Sequence, residues 1–154
     1  MAGLQLIGGT LRLPSSCVTN ESVSASTKID ADKMQHVYKP GTNFDLAIAG
    51  TPANREEIVF VASQAGVIRG FHALLNDTGT STSVAFDLNV NGSTVLSGDV
   101  TITHSDSDGV VSDGTISSPT LAIGDIVSID MAVSSSTGAQ GPFAWAEIEE
   151  ETAP

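Results

Sequence analysis

Val84-Ala85-Phe86-Asp87-Leu88-Asn89-Val90-Asn91-Gly92 alternates large apolar residues with small or polar ones and then breaks off. Successive side chains of a β-strand point to opposite faces, so Val84, Phe86, Leu88 and Val90 belong to one buried face and Asp87 and Asn89 to a wet one. Asn91-Gly92 follows at once, and both residues accept the positive φ that a tight hairpin demands. A return strand is predicted over Thr94–Ile102. Outward from this hairpin the same grammar repeats. Ile58–Val61 is a short apolar run stopped by Ala65-Gly66, Val67–Leu75 is broken by Asn76-Asp77-Thr78-Gly79, and Val127, Ile129, Met131 and Val133 alternate after the Gly124-Asp125 turn. Phe143–Ile148 makes a last strand after a loop at Ser134–Gly141. Residues 104–119 are polar, with one short strand predicted at Val110-Val111.

About seven strands separated by turn signals every ~8–12 residues are the pattern of a two-sheet packing. The fold class is all-β: an antiparallel β-sandwich, jelly-roll-like or immunoglobulin-like, with an extended N-terminal arm. Residues 57–154 form the sandwich body, and residues 1–56 form the arm and edge strands. In the latter part, Leu4, Leu6, Leu11 and Leu13 alternate around Gly8-Gly9 as a small hairpin or two extended pieces, and residues 15–28 are polar and turn-rich. A helical turn is predicted at Asp30–His36, a reversal at Pro40-Gly41, and an edge strand at Phe44–Ile48.

The 154 residues suit one domain, and no apolar run approaches the ~18 residues of a membrane-spanning helix. The start of the chain lacks the basic region and apolar stretch of a secretory signal, and its one cysteine, Cys17, has no partner for a disulfide. The expectation is a soluble protein made inside the cell. Charge divides the chain unevenly. Residues 1–50 hold four bases and four acids, whereas residues 51–154 hold two bases, Arg55 and Arg69, against fourteen acids, the whole net charge of -12. Such a body repels phosphate backbones, so nucleic-acid binding is not expected.

Chemistry is hard to place. The sequence carries no nucleophile elbow, phosphate-binding loop, dinucleotide fingerprint or paired metal-binding histidines, and His36, His72 and His104 are far apart. No catalytic residue and no cofactor are expected. Asp106-Ser107-Asp108-Gly109, with Asp113 beyond, resembles the opening of a calcium loop but lacks its remaining ligands and terminal glutamate. No metal is expected, and Asp106, Asp108 and Asp113 are the candidate set should a cation bind. Phe143 and Trp145 share one face of the last strand, with Ala144, Ala146 and Ile148 on the other. With a single Trp and a single Tyr in the chain, Trp145 is assigned to the core.

The arrangement over Ile58–Ile148, with Asp87-Leu88-Asn89-Val90-Asn91-Gly92 and Leu121-Ala122-Ile123-Gly124-Asp125-Ile126-Val127-Ser128-Ile129-Asp130, resembles the small β-sandwich structural proteins of tailed bacteriophages. These include capsid decoration (cement) proteins, head fibres and tail-associated modules. The resemblance implies a virion structural protein on the outer surface of the capsid, trimeric, stabilising the shell by gripping the major capsid protein. The arm residues Leu4, Leu6, Ile7, Leu11 and Leu13 would attach it by adding strands to sheet edges or lying in apolar grooves. The alternative is a carbohydrate- or receptor-binding β-sandwich module of a head or tail fibre. Neither is an enzyme.

Overall fold

The computed structural model describes residues 5–7, 10–12 and 36–150. Leu4, Leu13, Cys17 and most of the predicted arm and helical turn lie outside the described residues. β1 (Gln5–Ile7) and β2 (Thr10–Arg12) pair antiparallel with Ile7 opposite Thr10.

Eleven further strands are β3 (His36–Tyr38), β4 (Gly41–Thr42), β5 (Arg55–Val61), β6 (Gly66–Asp77), β7 (Ser81–Val90), β8 (Ser93–Thr94), β9 (Val100–Thr103), β10 (Ser112–Gly114), β11 (Thr120–Leu121), β12 (Ile126–Thr137) and β13 (Gln140–Glu150). They form two antiparallel sheets. The front sheet runs β10-β6-β13-β3, with β11 also on β6 and β4 also on β13; the back sheet runs β5-β12-β7-β8, with β9 also on β7. Packed face to face, they make the predicted antiparallel β-sandwich.

The core follows from the alternation. Val84, Phe86 and Leu88 of β7 and Val127, Ile129 and Met131 of β12 are fully buried from the back sheet. Phe71, Ala73 and Leu75 of β6 and Ala144, Ala146 and Ile148 of β13 meet them from the front. Asn91 (φ 51°) and Gly92 (φ 77°) make the predicted hairpin turn and set Val90 opposite Ser93.

Several local expectations give way to tertiary demands. Pro40-Gly41 is no reversal: β3 and β4 keep one register against β13, Tyr38 opposite Ile148 and Thr42 opposite Ala144. They are one edge strand interrupted by a proline that has no N–H to donate, and such a residue is tolerated at an edge. The Phe44–Ile48 strand is instead a pair of turns. Phe44 and Asp45 both take positive φ (55° and 54°), with the Leu46 amide donating to the Asn43 carbonyl at 3.0 Å. The Phe44 ring is thereby driven into the core beside Phe86, centroids 6.0 Å apart, and that burial offsets an unfavourable backbone. The Phe44 amide donates to the Thr42 hydroxyl, and the Arg55 guanidinium donates to the Phe44 carbonyl.

The return strand predicted over Thr94–Ile102 is split. It leaves β7 after Thr94, buries Val95 and Leu96, bridges Leu96 to Ile116, and rejoins as β9. The short strand expected at Val110-Val111 forms two residues later as β10, leaving both valines exposed. The loop expected at Ser134–Gly141 shrinks to a tight turn around Gly138, because β12 and β13 extend almost to meet. Residues 36–54, grouped above with the arm, carry the front-sheet edge and a core phenylalanine, and β5 spans the division drawn after residue 56.

Candidate functional site

β13 and β6 are the central strands of the front sheet, and their inward residues are settled by Phe71, Ala73, Leu75, Ala144, Ala146 and Ile148. Period-2 alternation therefore sends Gly70, His72 and Leu74 of β6, and Phe143, Trp145 and Glu147 of β13, to the outer face. The core assignment of Trp145 is thus corrected: alanines occupy the inner positions, where Phe44, Phe71 and Phe86 already fill the space between the sheets.

Cross-strand register aligns this outer face into rows. Trp145 lies opposite His72 on one side and Gly41 on the other; His72 lies opposite Asp113 of β10. The Trp145 and His72 rings stack, centroids 4.9 Å apart and planes 25° apart. Asp113 Oδ1 sits 2.7 Å from His72 Nδ1 and fixes the imidazole orientation. In the neighbouring row Phe143 lies opposite Leu74, and its ring is 5.7 Å from that of Trp145, tilted by 36°. On the other side Lys39 Nζ contacts Glu147 Oε1 at 2.6 Å. That hydrogen bond to the ammonium, reinforced by its charge, holds the Glu147 carboxyl below the usual carboxylate range.

Two glycines keep the strip open. A Cβ on Gly70 would stand 2.9 Å from His72 Nε2, and one on Gly41 would meet the Ala144 carbonyl and Trp145 Cβ, both at 2.8 Å. The result is a half-buried aromatic strip flanked by paired charges. Lys39, Leu74, Phe143 and Trp145 line a shallow depression of about 410 Å³. A second, of about 290 Å³, shares Leu74 and Phe143 and is bounded by Asn43, Asn76 and the Leu46–Ile48 turn. Aromatic faces with a few polar groups around them are the usual make-up of a small-molecule site.

The other sequence-selected residues do not converge. Asp106 Oδ2 accepts from the Thr103 amide (2.7 Å) and hydroxyl (3.0 Å), closing its own turn. Asp108 Oδ1 accepts from the Thr78 amide and hydroxyl, both at 2.8 Å, and the amide bond above all keeps its carboxyl acidic. Asp113 serves His72. These aspartates hold turns and a histidine, as aspartates at chain reversals commonly do, and no group of three metal-ligating side chains converges among the described residues. His36 and His104 stand away from the strip. Of the arm residues, Leu6, Ile7 and Leu11 fall in the β1–β2 hairpin; Leu4 and Leu13 lie outside the described residues. Sequence reasoning singled out Phe143 and Trp145 as a pair but missed their direction. The outward phase of His72, set by Phe71, Ala73 and Leu75, was the available signal.

No family model matches this chain, and no curated protein matches it. Among solved structures it is similar to the EclA C-terminal domain, described as a sugar-binding protein, at 12% identity and a TM-score of 0.33, over 81% of this chain and 82% of that one.

Proposed function

We propose that the chain is a non-catalytic β-sandwich module that binds carbohydrate on the outer face of its front sheet. The observation that carries this reading is the stacked Trp145–His72 pair, half-buried on the outer face of the front sheet, with the exposed Phe143 ring beside it. Sugar rings present C–H faces that stack on aromatic rings, and hydroxyls that donate hydrogen bonds to carboxylates and accept them from ammonium and amide groups at the rim. Asp113, Glu147, Lys39 and Asn76 supply such groups. Affinity measured on a glycan array for the intact chain and for Trp145→Ala tests the reading. Binding lost in the variant supports it; an array on which neither protein binds refutes it.

A second reading, a decoration protein on the outside of a phage head, draws support from a different surface. β5 is an edge strand, pairing only with β12 among the described residues. Its Ile58 and Val61 are 67% and 55% exposed, and Ile126, opposite Val61, is also exposed. An edge strand with apolar side chains is a template for strand addition from another chain. In this reading the major capsid protein is the partner, and a trimer spreads the contacts. Co-sedimentation of the chain with purified heads, lost on Ile58→Lys, supports attachment through β5; co-sedimentation unchanged by that substitution removes the edge from the argument.

A further inference from the structure

The charges around the aromatic strip narrow its ligand, an inference that rests on the carbohydrate reading above. On the front sheet, each described lysine and arginine beside the strip already lies against a carboxylate, and the His72 ring is held by another. Lys39 is 2.6 Å from Glu147, His72 is 2.7 Å from Asp113, and Arg69 Nε is 2.7 Å from Glu149. The chain as a whole carries -12. A ligand bearing carboxylates or sulfates would therefore meet repulsion and, among the described residues beside the strip, no unpaired lysine or arginine, and binding it would require breaking one of these pairs.

The geometry adds a second restriction. Trp145 and Phe143 are two residues apart on one strand, which puts them on the same face about 7 Å apart along β13. Their rings are tilted by 36° and not coplanar. One sugar on Trp145 and His72 leaves Phe143 for its neighbour, and the depression beyond Phe143 offers the Asn43 and Asn76 side chains to that second unit.

We infer that the strip binds an uncharged oligosaccharide, covering at least two consecutive units, one on Trp145–His72 and the next on Phe143. The probes are cellohexaose, a hexamer of galacturonate and a hexamer of glucosamine, titrated calorimetrically into the intact chain at low and high salt. The expected result is tightest binding of cellohexaose, with an affinity that changes less than about twofold between the two salt concentrations, since no net ion pairing is involved. Glucose alone should bind at least tenfold more weakly. Phe143→Ala should bring the hexamer close to the monosaccharide affinity, whereas Phe143→Tyr should retain it. Tighter binding of either charged hexamer through Trp145 would overturn the inference about ligand class and leave the carbohydrate reading standing. Hexamer affinity equal to that of glucose would overturn the two-unit footprint. If none of the three hexamers binds, or if Trp145→Ala binds as well as the intact chain, the carbohydrate reading itself falls.

Discussion

Trp145 and His72 face each other across β13 and β6 with their rings 4.9 Å apart, while the backbone between them is held by alanines that point the other way. The pair is therefore built on the two most extensively paired strands of the front sheet, and its support does not depend on its own burial. Trp145→Ala should cost about 0.2–1 kcal/mol, the range of a cross-strand pair. It should also lower glycan affinity by about two- to tenfold, because a stacked ring contributes about 0.5–1.5 kcal/mol. Thermal melting alongside calorimetry checks the two effects separately.

Gly70 offers a subtler perturbation. Its added Cβ would press on the Nε2 end of the imidazole, which is a movable side-chain tip, and no backbone atom lies that close. Alanine also suits a strand interior better than glycine does, by about 0.5–1 kcal/mol. Gly70→Ala is thus expected to leave the melting temperature unchanged or slightly higher while displacing His72 from Trp145 and weakening binding severalfold. A lower melting temperature with unaltered affinity would contradict this placement of the ring.

Glu150 ties the end of β13 to the loop after β5. Burial pushes its carboxyl upward, but the Ser63 hydroxyl, the Gln64 and Ser63 amides and the Tyr38 hydroxyl together outweigh that and hold it below the usual glutamate range. A lowered value in the folded state gives stability that is present above the unfolded pKa, about 4.3, and is lost as pH falls through the folded value. Glu150→Gln should cost about 1.5–3 kcal/mol at neutral pH, the range for hydrogen bonds to a charged group. Part of the acid-induced loss of stability below about pH 4.3 should vanish with it. Melting curves from pH 3 to 7 for both proteins test this.

Asp130 behaves in the opposite sense. It sits in a cross-strand row on the outer face of the back sheet, with Glu56 opposite on β5 and Asp87 opposite on β7. Burial first, then the charges of Glu56, Asp87 and Asp99, push its carboxyl above the usual range. The penalty for ionising it in the folded state sets in as pH rises through that raised value and is absent at pH values below the unfolded pKa. Asp130→Asn should stabilise the protein at neutral pH by about 0.2–1 kcal/mol, as expected for removing like charges from directly opposed positions. The gain should fade in acid. Equal stability at neutral pH would mean that water screens the row completely.

Alternation and turn chemistry were enough to read β7, β12 and their neighbours from the amino acids. Val84, Phe86 and Leu88 sit in the core, and Asn91-Gly92 turns the chain, because strand period and positive φ are properties of the local backbone. The antiparallel pairing of β1 with β2 agrees with one of the two readings that the alternation there left open. Phe44 was not: its alternating neighbours looked like a strand, but space between the sheets for a third phenylalanine pulled the segment into a left-handed turn.

The same limit governed the candidate site. Sequence separated Phe143 and Trp145 from Ala144, Ala146 and Ile148, but a period of two fixes only that the sets are opposed. Which set turns inward depends on the volume left between two sheets whose strands are far apart in the chain, and Phe44, Phe71 and Phe86 leave room only for small residues there. Register then brought Asp113, His72, Trp145 and Gly41 into one row across β10, β6, β13 and β4. The chain alone therefore determined a two-sheet body with alternating faces, because backbone sterics act within a few residues. Packing between remote strands decided that its tryptophan faces outward.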